Sequence, residues 1–144
     1  MRRVREATFA GTLVGRLVRG DDLLEELTGI CGENAVGAGR IEGLGAVERA
    51  RLAFFDQAVR EYRFFELDEP LEITKLVGNV SLRDAVPFVH AHVTLADASG
   101  RAYGGHLAPG TVVFAFEFVI ERFGGIELIR EHDETTGLAL WAME

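Results

Sequence analysis

A chain of 144 residues is long enough to close one hydrophobic core and short for two, so a single domain spanning 1–144 is expected. With 48% hydrophobic and 26% charged residues, no stretch is poor enough in apolar side chains to stay disordered. The net charge of −8 sets the average surface against phosphate backbones. Direct DNA binding by this acidic domain alone is therefore not expected, and Arg2, Arg3, Arg5, Arg16 and Arg19 read as a solvated cluster.

From the N-terminus, Thr8 to Val18 is short, β-branched and interrupted by Gly11 and Gly15, the pattern of a bent strand. Asp21 and Asp22 then precede Leu23, Leu24, Leu27 and Ile30, an acidic N-cap leading into the apolar stripe of a helix that Gly29 and Gly32 weaken. Cys31, the single cysteine, lies in that stripe as a small buried hydrophobe and has no partner for an internal disulfide. Glycines 37, 39, 43 and 45 invite a phosphate-loop reading. A dinucleotide fingerprint requires a helix directly after it, and a strand-like segment, Glu48 to Phe55, follows instead. Close strand packing is the reading for these glycines.

Tyr62 to Leu67 pairs back as a hairpin across the turn Asp56 to Arg60. Leu71 to Leu82 reads as a strand bulged at Gly78 and Asn79. Phe88 to Leu95 and Arg101 to Leu107 form the next hairpin. Thr111 to Arg122 is expected to be the longest strand, and its apolar content suggests cover on both faces, one of them another subunit. A turn at Asp133 to Gly137 and a final strand, Leu138 to Met143, end the chain, with His132 in a solvated polar turn. No apolar run approaches the ~20 residues of a membrane span. The N-terminus has no signal-peptide core, and the expected compartment is the cytoplasm.

Three of the four histidines, His90, His92 and His106, fall within the hairpin strands. On an alternating strand His90, His92 and Thr94 share one side, while Val89, Ala91, Val93 and Leu95 share the core side. The histidines therefore face a polar or subunit-facing surface. The position of His106 depends on register. A three-residue loop, Ala98 to Gly100 with a left-handed glycine, pairs Asp97 with Arg101 and His92 with His106, and places His90 diagonally within reach. Three imidazoles with an open fourth position suit Zn²⁺ or another first-row divalent metal. Cross-interface hydrogen bonding by the histidines is the alternative. Gly104 and Gly105 leave room for a backbone or ligand. Glu117, among Phe114, Phe116 and Phe118, either faces water or pairs with an arginine across a subunit boundary.

The run PFVHAHVTLADASGRAYGGHLAPGTVVFAFEFVI, with GRIEGLGAVERARLAFFD and PLEITKLVGNVSL upstream, resembles the plant and prokaryote conserved (PPC) domain, in its stand-alone prokaryotic form, over nearly the whole chain. The resemblance implies an α/β (α+β) fold: a central, largely antiparallel sheet flanked by helices and assembled as a homotrimer. It also implies that His90, His92 and His106, the paired-histidine strand and the Gly-Gly-His element, are the zinc ligands. Plant relatives join this domain to AT-hook segments, but no Arg-Gly-Arg-Pro core occurs in this sequence. Two functions are carried forward. One is a trimeric module that holds a metal or small ligand and serves protein or DNA-associated complexes. The other is a metal-dependent, hydrolase-type enzyme acting on a small polar substrate between subunits, with Asn79, Tyr103 or Glu117 supplying polar contacts. The catalytic residues themselves are not identifiable from sequence.

Overall fold

The computed structural model describes residues 2–143. Among them one helix, α1 (Leu23–Glu33), accompanies nine strands: β1 (Thr8–Leu17), β2 (Gly39–Asp56), β3 (Glu61–Leu67), β4 (Leu71–Arg83), β5 (Val86–Ala96), β6 (Ala102–Leu107), β7 (Val112–Gly124), β8 (Arg130–Asp133) and β9 (Leu138–Trp141). The domain is thus dominated by antiparallel sheet, and the plural flanking helices of the expectation reduce to α1. No helix among the described residues is long and apolar enough to cross a membrane.

The seven-stranded sheet runs β1-β7-β2-β4-β5-β6, with β3 paired to β2. β2 organises it. Residues 39–47 pair with β4 and residues 39–49 with β7, whereas 50–56 pair with β3 and Leu52 and Ala53 return to β6. The last contact closes a ring through β2, β4, β5 and β6. At 18 residues, β2 and not the Thr111–Arg122 segment is the longest strand. Its glycine-rich half, expected to precede a strand, belongs to the strand itself, because the absent side chains let β7 approach. A Cβ on Gly43 would lie 2.8 Å from the Glu117 carbonyl oxygen and collide with the Phe116 ring.

The bulge expected at Gly78 and Asn79 lies elsewhere. Both residues stay in register with Ala91 and His90, and the irregularity falls between Ile73 and Lys75. Gly78 is required for contact and not for a bend, since a Cβ there would sit 2.7 Å from the His90 carbonyl oxygen. β7 also departs from expectation. Val113, Phe116, Phe118 and Ile120 are buried, but Phe114, Glu117 and Val119 are exposed, so within the chain only one face is covered.

The core side of the sheet is covered by α1, chiefly over β5. Asp22 caps the helix, accepting from the backbone N–H groups of Leu24 and Glu25 at 3.1 Å each, and Glu25 and Glu26 complement the positive N-terminal end. Leu23, Leu27 and Cys31 are fully buried, and burial pushes the Cys31 thiol up to about 11, consistent with an inert core residue. Gly29 and Gly32 do not interrupt the helix, and a Cβ at either meets only open space. Gly29→Ala is therefore expected to raise stability by about 0.5–1 kcal/mol. Gly43→Ala should lower it by about 1–3 kcal/mol through overpacking against β7. Urea midpoints, with unchanged slopes, check both.

Candidate metal centre

The histidine face is fixed by strand pairing. In β5, Val89, Ala91, Val93 and Leu95 are buried, so His90, His92 and Thr94 point outward. The Asp97 N–H donates to the Arg101 carbonyl oxygen at 3.0 Å, closing a three-residue loop, Ala98 to Gly100, in which Gly100 takes φ 81°. His92 consequently pairs with His106, as the loop length predicts. His106 is held from its other side by Ala53 of β2.

The three imidazoles converge. Ring centroids are 5.1 Å apart for His90–His92, 5.0 Å for His90–His106 and 5.5 Å for His92–His106. One ring nitrogen from each lies within 4.8 Å of the others, and Nε2 of His90 is 3.3 Å from Nε2 of His92. Tetrahedral coordination with metal–nitrogen bonds of about 2.0–2.1 Å separates ligand nitrogens by about 3.3–3.4 Å. The His90–His92 pair already has that spacing, and His106 needs only a small ring movement to complete a face. The donor set fits a borderline-soft ion such as Zn²⁺.

Electrostatics keep the rings able to donate. Burial, followed by the charges of His106, Arg130 and His92, lowers the His90 pKa to about 4. His106 is lowered as well, first by burial and then by His92 and Arg130. At neutral pH these two rings are uncharged and offer lone pairs.

The flanking groups come from distant elements. The Tyr62 ring of β3 lies 4.8 Å from that of His106. Arg130 of β8 donates to Ser81 Oγ, Asn79 Oδ1 and the Ala139 carbonyl oxygen, each at 2.8 Å, and its Nη2 is 3.4 Å from His90 Nδ1. Burial chiefly, and Arg83 as well, lower the Arg130 pKa, whereas Tyr62 opposes the shift. A cavity of about 740 Å³ opens onto His90 and His106 and is also lined by Tyr62, Arg83, Phe88 and Arg130.

The sequence profile of the Plants and Prokaryotes Conserved (PCC) domain matches residues 4–124. The chain belongs to this family. It is similar to a metal-containing protein from Archaeoglobus fulgidus, with 40% identity, a TM-score of 0.92, and 97% of this chain and 99% of that one covered. A PPC protein from Pyrococcus horikoshii shares 31% identity and a TM-score of 0.92, with 98% and 97% covered. Among curated proteins, the bifunctional protein GlmU of two Synechococcus strains is 33% identical over 124 residues, 85% of this chain. The matched stretch is only 19% and 18% of those relatives, so the chain spans less than a fifth of their length.

In this PCC domain the site residues expected from sequence divide into two groups. The three histidines and Asn79 come together, with Asn79 paired to His90 and bonded to Arg130. Tyr103 points to the core side, and its hydroxyl donates to Asp97 Oδ2 at 3.1 Å. Gly104 lies on the outer face beside Thr94. Gly105 admits β2, since a Cβ there would sit 3.1 Å from the Ala53 carbonyl oxygen. Glu117 is exposed on β7, separated from β5 by β2 and β4, and does not reach the histidines within the chain. His132 lies in β8 opposite Ala139 and not in a turn, although it is solvent-exposed as expected. Sequence reasoning missed Tyr62, Arg83, Phe88 and Arg130.

A depressed histidine pKa has a direct consequence for stability. Below its ordinary value of 6.5 the unfolded chain takes up a proton at His90 that the fold resists until about pH 4. The His90 contribution is thus complete above about pH 6.5 and is lost as pH falls toward 4. Metal-free protein should show a falling urea midpoint between pH 7 and pH 4.5, and His90→Gln should flatten that decline relative to the wild type.

Proposed function

We propose that this PCC domain is a homotrimeric, cytoplasmic binding module that holds a zinc-like first-row ion on His90, His92 and His106. The observation that carries the reading is the convergence of three imidazole nitrogens on one face, two of them already at the spacing of a tetrahedral edge. When bound, such an ion supplies a Lewis-acidic position for a water or ligand oxygen. His90 and His106 contribute neutral donors, Arg130 fixes Asn79 beside them, and Tyr62 screens one side of the His106 ring. The similar Archaeoglobus protein is described as metal-containing, which agrees with this reading.

The assembly part rests on the same outer face. Val14, Val119, Glu42, Val77, His92 and His106 form one continuous cross-strand row over β1, β7, β2, β4, β5 and β6. Val14, Val77 and Val119 are exposed, as is neighbouring Leu44 at 59%. An apolar stripe of this kind on an otherwise charged sheet favours cover by another chain. The ion pairs Arg40–Glu121 and Lys75–Glu42 punctuate it and would fix register between copies. At a net charge of −8, DNA-associated roles would proceed through partners and not through backbone contacts of this domain.

A second reading, a metal-dependent hydrolase for a small polar substrate, draws support from the cavity that opens beside the histidines. It requires a turnover that His92→Ala abolishes while the trimer persists.

Metal analysis tests the first reading. Purified protein should carry roughly one first-row ion per chain and His92→Ala far less, whereas near-zero content in both would overturn it. Sedimentation should give a three-chain mass, shifted toward the single chain by Val14→Lys with unchanged circular dichroism. A wild-type monomer at micromolar concentration would overturn the trimer.

A further inference from the structure

The cavity beside the histidines has a charge pattern that a metal site alone does not require. Arg130 is half-buried, and its hydrogen-bond partners Ser81, Asn79 and Ala139 are all neutral acceptors. Arg83 projects from the end of β4 into the same space. Both guanidinium groups lie over the Phe88 ring, Arg83 at 5.6 Å and Arg130 at 5.2 Å from its centroid. Among the described residues, neither forms an ion pair with a carboxylate, unlike Arg19, Arg40 and Arg63. Asp84 and Glu131 line the same cavity, but both are exposed and neither pairs with these arginines.

Holding two guanidinium groups over one ring without a counter-charge is unfavourable, and the cost falls when an anion enters between them. Arg130 is anchored by three bonds, so it presents a preorganised charge and loses little side-chain entropy on binding. The Tyr62 hydroxyl group is a further donor on the cavity wall. The volume, about 740 Å³, falls in the range of small-molecule sites.

We propose that this cavity is a binding site for a small oxyanion-bearing molecule, a carboxylate or phosphate compound, held by Arg83, Arg130 and Tyr62 with its acidic group directed at the three-histidine centre. The inference deepens the metal-module reading and rests on it for the metal-facing end, whereas the arginine end stands on this cavity's own residues. Arg83 can read the oxygens of a phosphoryl group or a carboxylate in bidentate fashion, while Arg130, already bonded through each of its nitrogens, contributes chiefly charge. Phe88 offers the adjoining apolar surface for the carbon portion of the molecule.

Calorimetric titration of the full chain with inorganic phosphate and with succinate, in metal-free and zinc-loaded forms, tests the site. Zinc-loaded protein should bind at least one anion with a dissociation constant below about 1 mM. Arg83→Ala should weaken that binding about 10-fold with zinc content unchanged, and Arg130→Lys should weaken it at least as much. Phosphate binding alone would assign a phosphoryl ligand, and succinate binding alone a carboxylate. Because Arg130 braces β4 and β9, Arg130→Lys could lose its fold. Arg83 is exposed and holds only Phe88, so Arg83→Ala keeps the test decisive. If neither anion binds, or both variants bind as tightly as the wild type, the proposal is overturned. The two readings fail separately. A chain that takes up no zinc overturns the metal reading, and titration of the metal-free form then decides the arginine site on its own.

Discussion

The histidine site depends on the register between β5 and β6, and one carboxylate secures that register. Asp97 accepts from the Ser99 and Arg101 backbone N–H groups at 2.9 and 3.0 Å, from Ser99 Oγ at 2.7 Å and from the Tyr103 hydroxyl at 3.1 Å. The Ser99 hydroxyl bond is the largest reason its carboxyl group sits below the usual carboxylate range. Gly100 supplies the left-handed residue that closes a loop of this length. A loop longer or shorter by one residue would move His106 to the side occupied by Tyr103 and Leu107, where a ring nitrogen could meet neither of its companions. Tyr103, which resembled a ligand contact in the sequence, serves the site by holding this turn.

Register in one hairpin would still leave His106 on an open edge. Ring closure removes that weakness, because β6 pairs with β5 on one side and with Leu52 and Ala53 of β2 on the other. Gly105 makes the closure possible, since a Cβ there would press on the Ala53 carbonyl oxygen and the Leu52 side chain of β2. The long β2 is thus the element that turns a sheet edge into a supported surface. Close approach of β7, and not a phosphate, accounts for the glycines in its first half.

What the sequence disclosed about the site was local. Alternation in β5, the turn formers at 97–100 and the Gly-Gly-His element were sufficient to bring the three rings together, because each constraint acts within about ten residues. Arg130 and Tyr62 carried no such signal. Tyr62 reaches His106 only through the closure of β6 onto β2, with β3 on the same strand, and Arg130 is placed by the Leu82 N–H bond to the Leu128 carbonyl oxygen at 2.7 Å and the parallel bridge from Leu82 to Ile129. Glu117 faces water within the chain, one of the two alternatives its apolar neighbours left open, because strand alternation turns it outward. The length of β2 was hidden by glycine, which ordinarily weakens a strand and here permits its tightest packing.

The charge distribution around the histidines separates this centre from an all-protein structural zinc site. Thiolate or carboxylate ligands neutralise a divalent ion, whereas three imidazoles contribute no negative charge. Here the neighbouring half-buried side chain is a guanidinium, which adds to the positive charge instead of reducing it. A divalent ion held on the histidines would be repelled by the Arg130 charge. A hydroxide, carboxylate or phosphoryl oxygen at the fourth position relieves that repulsion and gains from the arginine at the same time. Under the proposed function, a metal held there would therefore favour an anionic partner, whether the bound state serves storage, recognition or catalysis.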